Sequence, residues 1–371
     1  MASAKQIKLA VLAGDGVGPE ITAETVDVLQ AAADRTGLKL KFEHCLIGWK
    51  AYEKHRSTLP EATLEVLRRH DGWILGPTFA GEYPKDDPIR GHPSGYLRRN
   101  FKLYANVRPV KAWPQLSPLI PDLDITVIRE NTEGFYPDRS LAWGYGEFKP
   151  TEDVGISLRV ITRTACDRFA RFSLQYAAAA GQKHLAIVHK RTALPQTEGI
   201  FIGAFERLAK EFKQVKTELV RIDTFSSTLP REPHRYKLVA TTNLFGDILS
   251  DQASGMAGGV GVASSLNAGD DHAMAQAVHG TAPDIAGKGV ANPTALILST
   301  AMLMRWFDQN SPDARCRGTA ELIEQAVKDA MASGSVTPDL GGKANSKQYT
   351  RAIIKAIAAS DTPSARARAR A

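Results

Sequence analysis

The chain has 371 residues, 43% of them apolar, and a formal charge of +7, enough for two domains or one large α/β unit with a full-sized core and too apolar for a disordered chain. The positive excess is small and Arg366, Arg368 and Arg370 of an Ala-Arg tail supply part of it, so no nucleic-acid partner is implied. Cys45, Cys166 and Cys316 lie far apart with no C-x-x-C pair, which argues against a disulfide framework or zinc cage; with neither a secretory leader nor an apolar run long enough for a membrane span, a reducing cytoplasm is expected.

In chain order, Ile7 to Leu12 reads as a strand, Gly14 to Gly18 as a glycine turn, and Pro19 as the start of a helix, where its missing amide proton costs nothing. Gly14-Asp15-Gly16-Val17-Gly18 tempts a dinucleotide-binding reading. It fails because Pro19 stands where the third glycine is needed and Asp15 would put negative charge near a pyrophosphate, so a structural turn beside the active cleft is expected. Gly72 to Gly76 is a second apolar strand, and the loop from Pro77 to Pro93 is long enough to be suspected of function. Leu103 to Pro109 is extended because the residue before proline avoids the helical region. Ile125 to Arg129 is a further buried strand. From Leu141 to Ile161 the residues turn aromatic, glycine-rich and β-branched, and residues 155–161 alternate as a half-buried strand does, predicting a projecting β-arm. A helix over about Thr164 to Ala180 stops at Gly181 and leads into the strand Leu185 to Val188. After Pro293 the chain is mostly helical, and the end from Thr362 reads as a solvated tail. Strands feeding helices define an α/β protein.

The strand Leu238 to Ala240 runs into Asn243-Leu244-Phe245-Gly246-Asp247-Ile248-Leu249-Ser250-Asp251. On a helix starting near Gly246, Asp247 and Asp251 lie one turn apart on one face. They can offer oxygens to a single point, and hard cations such as Mg²⁺ or Mn²⁺ prefer oxygen. An isolated D-x-x-x-D is better read as a helix cap and a solvated residue, but here Asp223 supplies a third carboxylate upstream.

Taken with Gly14 to Glu20, Arg129-Glu130-Asn131-Thr132-Glu133-Gly134 and His279-Gly280-Thr281-Ala282-Pro283-Asp284-Ile285-Ala286-Gly287, that segment closely resembles the isocitrate/isopropylmalate dehydrogenase family, in order from about Ile7 to about Gly342. The resemblance implies a two-domain α/β fold with a mixed central sheet that is not a Rossmann fold. Residues 1–103 and 258–371 would form the cofactor-binding domain. Residues 104–257 would form the dimerisation and metal/substrate domain, with the arm near 141–161 clasping the partner of a homodimer or larger homo-oligomer.

The implied activity is NAD-dependent oxidative decarboxylation of a 3-substituted malate with Mg²⁺ or Mn²⁺. By resemblance, Asp247 and Asp251 bind the metal from one subunit and Asp223 from the other. Lys190 is the base and Tyr136 the acid, with Asp223 counted among the catalytic groups. Arg98, Arg108 and Arg129 grip the malate carboxylates, which suits bidentate guanidinium forks. His279, Gly280, Thr281, Ala282, Pro283, Asp284, Ile285 and Asn292 bind the cofactor, and Asp284 on the ribose favours NAD⁺ over NADP⁺.

Thr192 departs from the family, which usually has asparagine there touching substrate and nicotinamide. Ser94 and His92 stand where the 3-substituent is read, and the leucines of isopropylmalate enzymes are absent, favouring isocitrate or homoisocitrate. The alternatives are 3-isopropylmalate, tartrate or malate as substrate, or a non-catalytic regulatory subunit. No nucleic-acid or membrane partner is expected.

Overall fold

The computed structural model describes residues 6–79, 83, 84, 86–89, 92–113, 116, 119–136 and 146–360. The tail from Thr362 and the beginning of the expected arm, 141–145, lie outside the described residues.

In chain order the elements begin β1 (Ile7–Leu12), α1 (Gly18–Thr36), β2 (Leu40–Cys45), α2 (Trp49–His55), α3 (Glu61–Arg69), β3 (Gly72–Leu75), α4 (Pro93–Asn100), β4 (Ala105–Lys111) and β5 (Asp124–Glu130). They continue with β6 (Glu147–Thr151), β7 (Val154–Ser157), α5 (Arg163–Ala179), β8 (His184–His189), α6 (Pro195–Leu208), β9 (Lys216–Arg221), α7 (Ile222–Thr228), β10 (Leu238–Thr241) and α8 (Asn243–Ala257). The chain closes with β11 (Leu266–Ala268), β12 (Ala273–Gln276), α9 (Thr294–Asn310), α10 (Ala314–Ala332) and α11 (Ser346–Ala359). No helix among the described residues is long and apolar enough to cross a membrane.

The chain divides into two compact units, one of Met1–Ser94, Val260–Leu266 and Asp271–Ala371, the other of Gly95–Gly259 and Asn267–Asp270. In the first, β2, β1, β3 and β12 pair in that order, all parallel. Parallel strands are covered on both faces, which is why β1 and β3 are almost wholly buried apolar runs. Helix α1 packs against α9, α10 and α11. It starts with a proline in its first turn and ends at Gly37, whose φ of 73° places it in the left-handed region that only glycine enters without cost. Helix α11 opens with a capping box between Asn345 and Gln348.

In the second unit β4 pairs antiparallel with β5, and β5, β10, β8 and β9 continue in parallel, so the sheet is mixed. Helix α8 lies over β4 and β5, and Leu249, Ala253 and Met256 join Val110, Ile125, Val188 and Val239 in one core. The helix begins at Asn243, three residues earlier than the sequence suggests. Asp247 therefore sits in its second turn and caps nothing.

β6 and β7 form a two-stranded antiparallel hairpin, as the arm predicts, but both strands are exposed throughout. The alternation over 155–161 reads as half-buried because period two reports an apolar face without reporting what covers it. In the single chain Phe148, Val154, Ile156 and Leu158 are exposed.

Candidate active site

Tertiary packing in the second unit sets Arg108 of β4, Arg129 of β5 and the carboxylates of α8 side by side. Arg108 Nη1 lies 3.2 Å from Asp247 Oδ1 and 3.4 Å from Asp251 Oδ1, so the two carboxylates converge on one cationic group. Arg129 Nη1 donates to Asp247 Oδ1, while its Nε donates to Asn243 Oδ1 at 2.9 Å. Tyr136 Oη donates to Asp247 Oδ2 at 2.7 Å, and the Arg129 guanidinium lies 5.5 Å from the Tyr136 ring centroid. Arg108 is held in turn by Asn106 Oδ1 at 2.5 Å and Ser250 Oγ at 2.7 Å. Neither Asn106 nor Ser250 is singled out in the sequence. Ser250 lies inside the Asp247 to Asp251 motif, so its place on the helix face was the signal available.

The glycine at 246 makes this approach possible. A Cβ there would stand 2.7 Å from the Cβ and Cγ of Arg129, well inside van der Waals contact. Burial pushes the Asp247 carboxyl up, but Arg129 and then Arg108 outweigh it and hold the group below the ordinary carboxylate range. Asp251 is raised instead, because burial exceeds the help it receives from Arg108. The Arg108 guanidinium is drawn down to about 10 by burial and by Arg129 beside it, against the pull of Asp247. Two guanidiniums thus face two carboxylates in this corner, with Asp247 shared between both cations.

A separate group forms where β8 and β9 end. His189 and Arg221 are register partners on these strands, and just beyond them Lys190 Nζ lies 3.3 Å from Asp223 Oδ1. Burial raises the Asp223 carboxyl, yet its own backbone amide and Lys190 bring the balance below the ordinary value. Glu198 of α6, fully buried, pairs with Arg159 and accepts from the Lys190 backbone, fixing the turn behind that lysine. Glu198 carries no sequence signal beyond being an acidic residue on a helix. Thr192 is exposed on this turn. Among the described residues no three His, Cys, Asp or Glu side chains converge within one chain. Asp223 is thus placed with Lys190, while Asp247 and Asp251 are placed with the arginines.

On α4, Ser94 and Arg98 stand one turn apart, both buried. His92 precedes the helix and is half-buried.

In the first unit the segment from His279 to Asn292 lies against the early glycine turn, for Val17 N donates to Thr281 O at 2.9 Å and a Cβ at Gly16 would meet Thr281 O. Asp15 is consumed inside the protein. Its carboxylate accepts from Trp49 N at 2.8 Å and from Tyr83 Oη, which accounts for an acid in a glycine turn and leaves no pyrophosphate site there. Gly280 and Asp284 are exposed, and Ala282 has φ of 40°, a strained value for a residue with a Cβ. His279 Nδ1 contacts Gly280 O at 2.9 Å, and its Nε2 is buried with no hydrogen-bond partner among the described residues. Burial depresses the imidazolium, favouring the neutral ring whose Nε2 accepts. Asn292 is committed differently, with Nδ2 on Asp339 Oδ2 at 2.9 Å and Oδ1 accepting from Thr294 N at 3.0 Å.

The family model described as isocitrate/isopropylmalate dehydrogenase matches residues 8–357. The chain belongs to the isocitrate/isopropylmalate dehydrogenase family. It is therefore a decarboxylating dehydrogenase, and its mixed α/β architecture is that family's. It is similar to the 3-isopropylmalate dehydrogenase of Methanothermobacter thermautotrophicus, at 38% identity over 95% of this chain and 98% of the relative. The isocitrate/homoisocitrate dehydrogenase of Thermus thermophilus is 37% identical over 94% of this chain and 98% of its own length. Among solved structures, isocitrate dehydrogenase from Methylococcus capsulatus superposes with a TM-score of 0.82 at 34% identity, covering 95% of this chain and 99% of that one. These family relatives act on different 3-substituents.

Proposed function

We propose that this family member oxidatively decarboxylates a malate bearing an anionic 3-substituent, isocitrate or homoisocitrate in preference to isopropylmalate, with NAD⁺ and a divalent cation. The observation that carries the reading is the cluster of Arg108, Arg129, Tyr136, Asp247 and Asp251, in which fixed guanidinium forks stand beside two oxygen donors.

The donor set fits a hard cation: it contains only carboxylate oxygens, and Asp251, raised by burial, gains from a nearby positive charge. Asp247 and Asp251 would hold the metal from one subunit, with Asp223 of a second copy. The placement of Asp223 beside Lys190, apart from the other two carboxylates, supports that sharing. The apolar hairpin of β6 and β7 supports a homo-oligomer, since a second copy would cover it. The residues also fit NAD⁺, because the buried Nε2 of His279 lacks a donor and Asp284 is exposed for ribose hydroxyls. When bound, the cation supplies Lewis acidity toward the 2-hydroxyl and NAD⁺ accepts the hydride.

The chain's own residues do the rest. Arg98, Arg108 and Arg129 orient the malate carboxylates. Lys190, oriented by Asp223, is the base that takes the hydroxyl proton as the 2-carbon is oxidised to a ketone. The bond from C3 to its carboxylate then breaks, CO₂ leaves, and C3 takes a proton from Tyr136. Asp247 holds that phenol in place beforehand.

The test is a panel of malate, tartrate, isocitrate, homoisocitrate and isopropylmalate with each nicotinamide cofactor. NADH should form fastest with isocitrate or homoisocitrate, stop with EDTA and return with Mg²⁺ or Mn²⁺. No turnover of any substrate by the chain alone would instead favour a regulatory subunit, and turnover that survives chelation would remove the metal from the scheme.

A further inference from the structure

Two residues beyond the end of β7, Arg159 turns its side chain inward, where it is 6% exposed. Its Nη1 donates to Thr197 Oγ1 and its Nη2 to Glu198 Oε1, both in the first turn of α6. Nη2 also stands 3.4 Å from the Oγ1 of Thr242, the residue before α8. The guanidinium carbon lies 5.3 Å from the Phe135 ring centroid and 5.9 Å from that of Phe245. A guanidinium can bond through its edge and stack on its faces at once, which an ammonium cannot do.

Each of these partners adjoins a residue of the proposed chemistry. Lys190 O accepts from Ala193 N and Leu194 N at 3.0 Å each, and Leu194 immediately precedes α6, so the first turn of α6 carries the Lys190 turn with it. Phe135 precedes Tyr136. Gly134 and Val160 exchange backbone hydrogen bonds at 2.8 Å and 3.1 Å, which ties the Tyr136 segment to the strand end beside Arg159. Thr242 and Phe245 lie at the start of the helix that carries Asp247. In the shared-site reading, Lys190 of one chain serves the site built on Tyr136 and Asp247 of a second copy, so the groups that meet at Arg159 belong to two different active sites.

Resting on that sharing, we propose that Arg159 is a positioning residue for both sites at once. It holds the Lys190 turn that its chain lends to one site and the Tyr136 and Asp247 group that its chain supplies to the other. Lys190 and Tyr136 move protons and do not grip the malate carboxylates, so loosening Arg159 is felt in turnover.

The test uses two variants. Arg159→Lys keeps a cation beside the buried Glu198 but loses the fork, and Arg159→Met with Glu198→Gln removes the charge pair without stranding a buried carboxylate. With the fold checked by circular dichroism and thermal midpoint, kcat should fall about tenfold to a hundredfold, as for groups displaced by up to about 1 Å, while KM for isocitrate and homoisocitrate holds. Unchanged kcat in both folded variants, or a loss confined to KM, would overturn the proposal. Purified mixed dimers then separate the two halves. Paired with Lys190→Ala, the Arg159→Lys subunit supplies the remaining lysine; paired with Asp247→Asn, it supplies the remaining Asp247; the one intact site should be slow in both pairs. A wild-type rate per site in either pair would overturn the proposal and leave shared sites standing. If Lys190→Ala paired with Asp247→Asn recovers no activity, sharing itself fails and this proposal with it.

Discussion

Buried ionisable side chains behave here according to their partners. Asp247 and Asp251 are one turn apart on the same helix, yet the first is held ionised by two guanidiniums and the second is pushed toward its neutral form. Histidines show the other sign of the same physics. His189, His272 and His279 are all drawn below the ordinary imidazole value, chiefly by burial. As the pH falls below about 6.5 the unfolded chain takes up protons that the folded chain refuses, so stability present above that value is lost on the acid side, down to the depressed folded values. His272 stacks on Trp73 at 5.3 Å between centroids, away from the proposed chemistry. His272→Phe keeps that stacking and removes one proton site, so its stability should fall less steeply between pH 7 and pH 5 in urea titrations. An unchanged slope would assign the linkage to the other two.

At the scale of elements, the contact of α8 with β5 sets the site. Gly246→Ala puts a methyl 2.7 Å from Arg129 side-chain carbons, and neither the helix backbone nor a strand residue that is hydrogen-bonded to Asn243 and Asp247 yields easily. Overpacking of this kind costs about 1–3 kcal/mol, and we expect a loss of that size in chemical denaturation together with a larger fractional loss of kcat/KM. A variant as stable as wild type would show that the helix can slide outward. The position of α8 also corrects the helix start that the sequence suggests, near Gly246, and removes the cap reading that was set aside for Asp247. Asp247 looks like a cap if the helix starts at Gly246; the helix starts at Asn243, so the carboxylate points to partners from other strands.

For the whole molecule, the question is where the third carboxylate belongs. Lys190 and Asp223 form one group, Asp247 and Asp251 another, and among the described residues the three acids do not converge within a chain. If two copies share sites, mixing inactive Lys190→Ala with inactive Asp247→Asn subunits places both lesions in one site and leaves the other intact. Activity should then recover to about a quarter of wild type after random exchange, half the subunit pairs being mixed with one good site each. No recovery despite exchange shown by mass spectrometry would place Lys190 and Asp247 in the same chain's site.

From the amino-acid sequence alone came the α/β class, the strand and helix order, and the family, because each rests on local periodicity or on short segments whose spacing survives in the linear chain. The convergence of Asp247 and Asp251 was also readable, since one helical turn is a local distance. What only tertiary structure decided are the contacts between residues far apart in the chain: Ser250 on Arg108, Asn243 on Arg129, and Glu198 on Arg159. Each of these is a buried polar residue that must find a partner, and which partner it finds depends on how sheets and helices pack. The hairpin of β6 and β7 marks the same boundary, for its alternation specifies an apolar face while its exposure in one chain is a property of the fold.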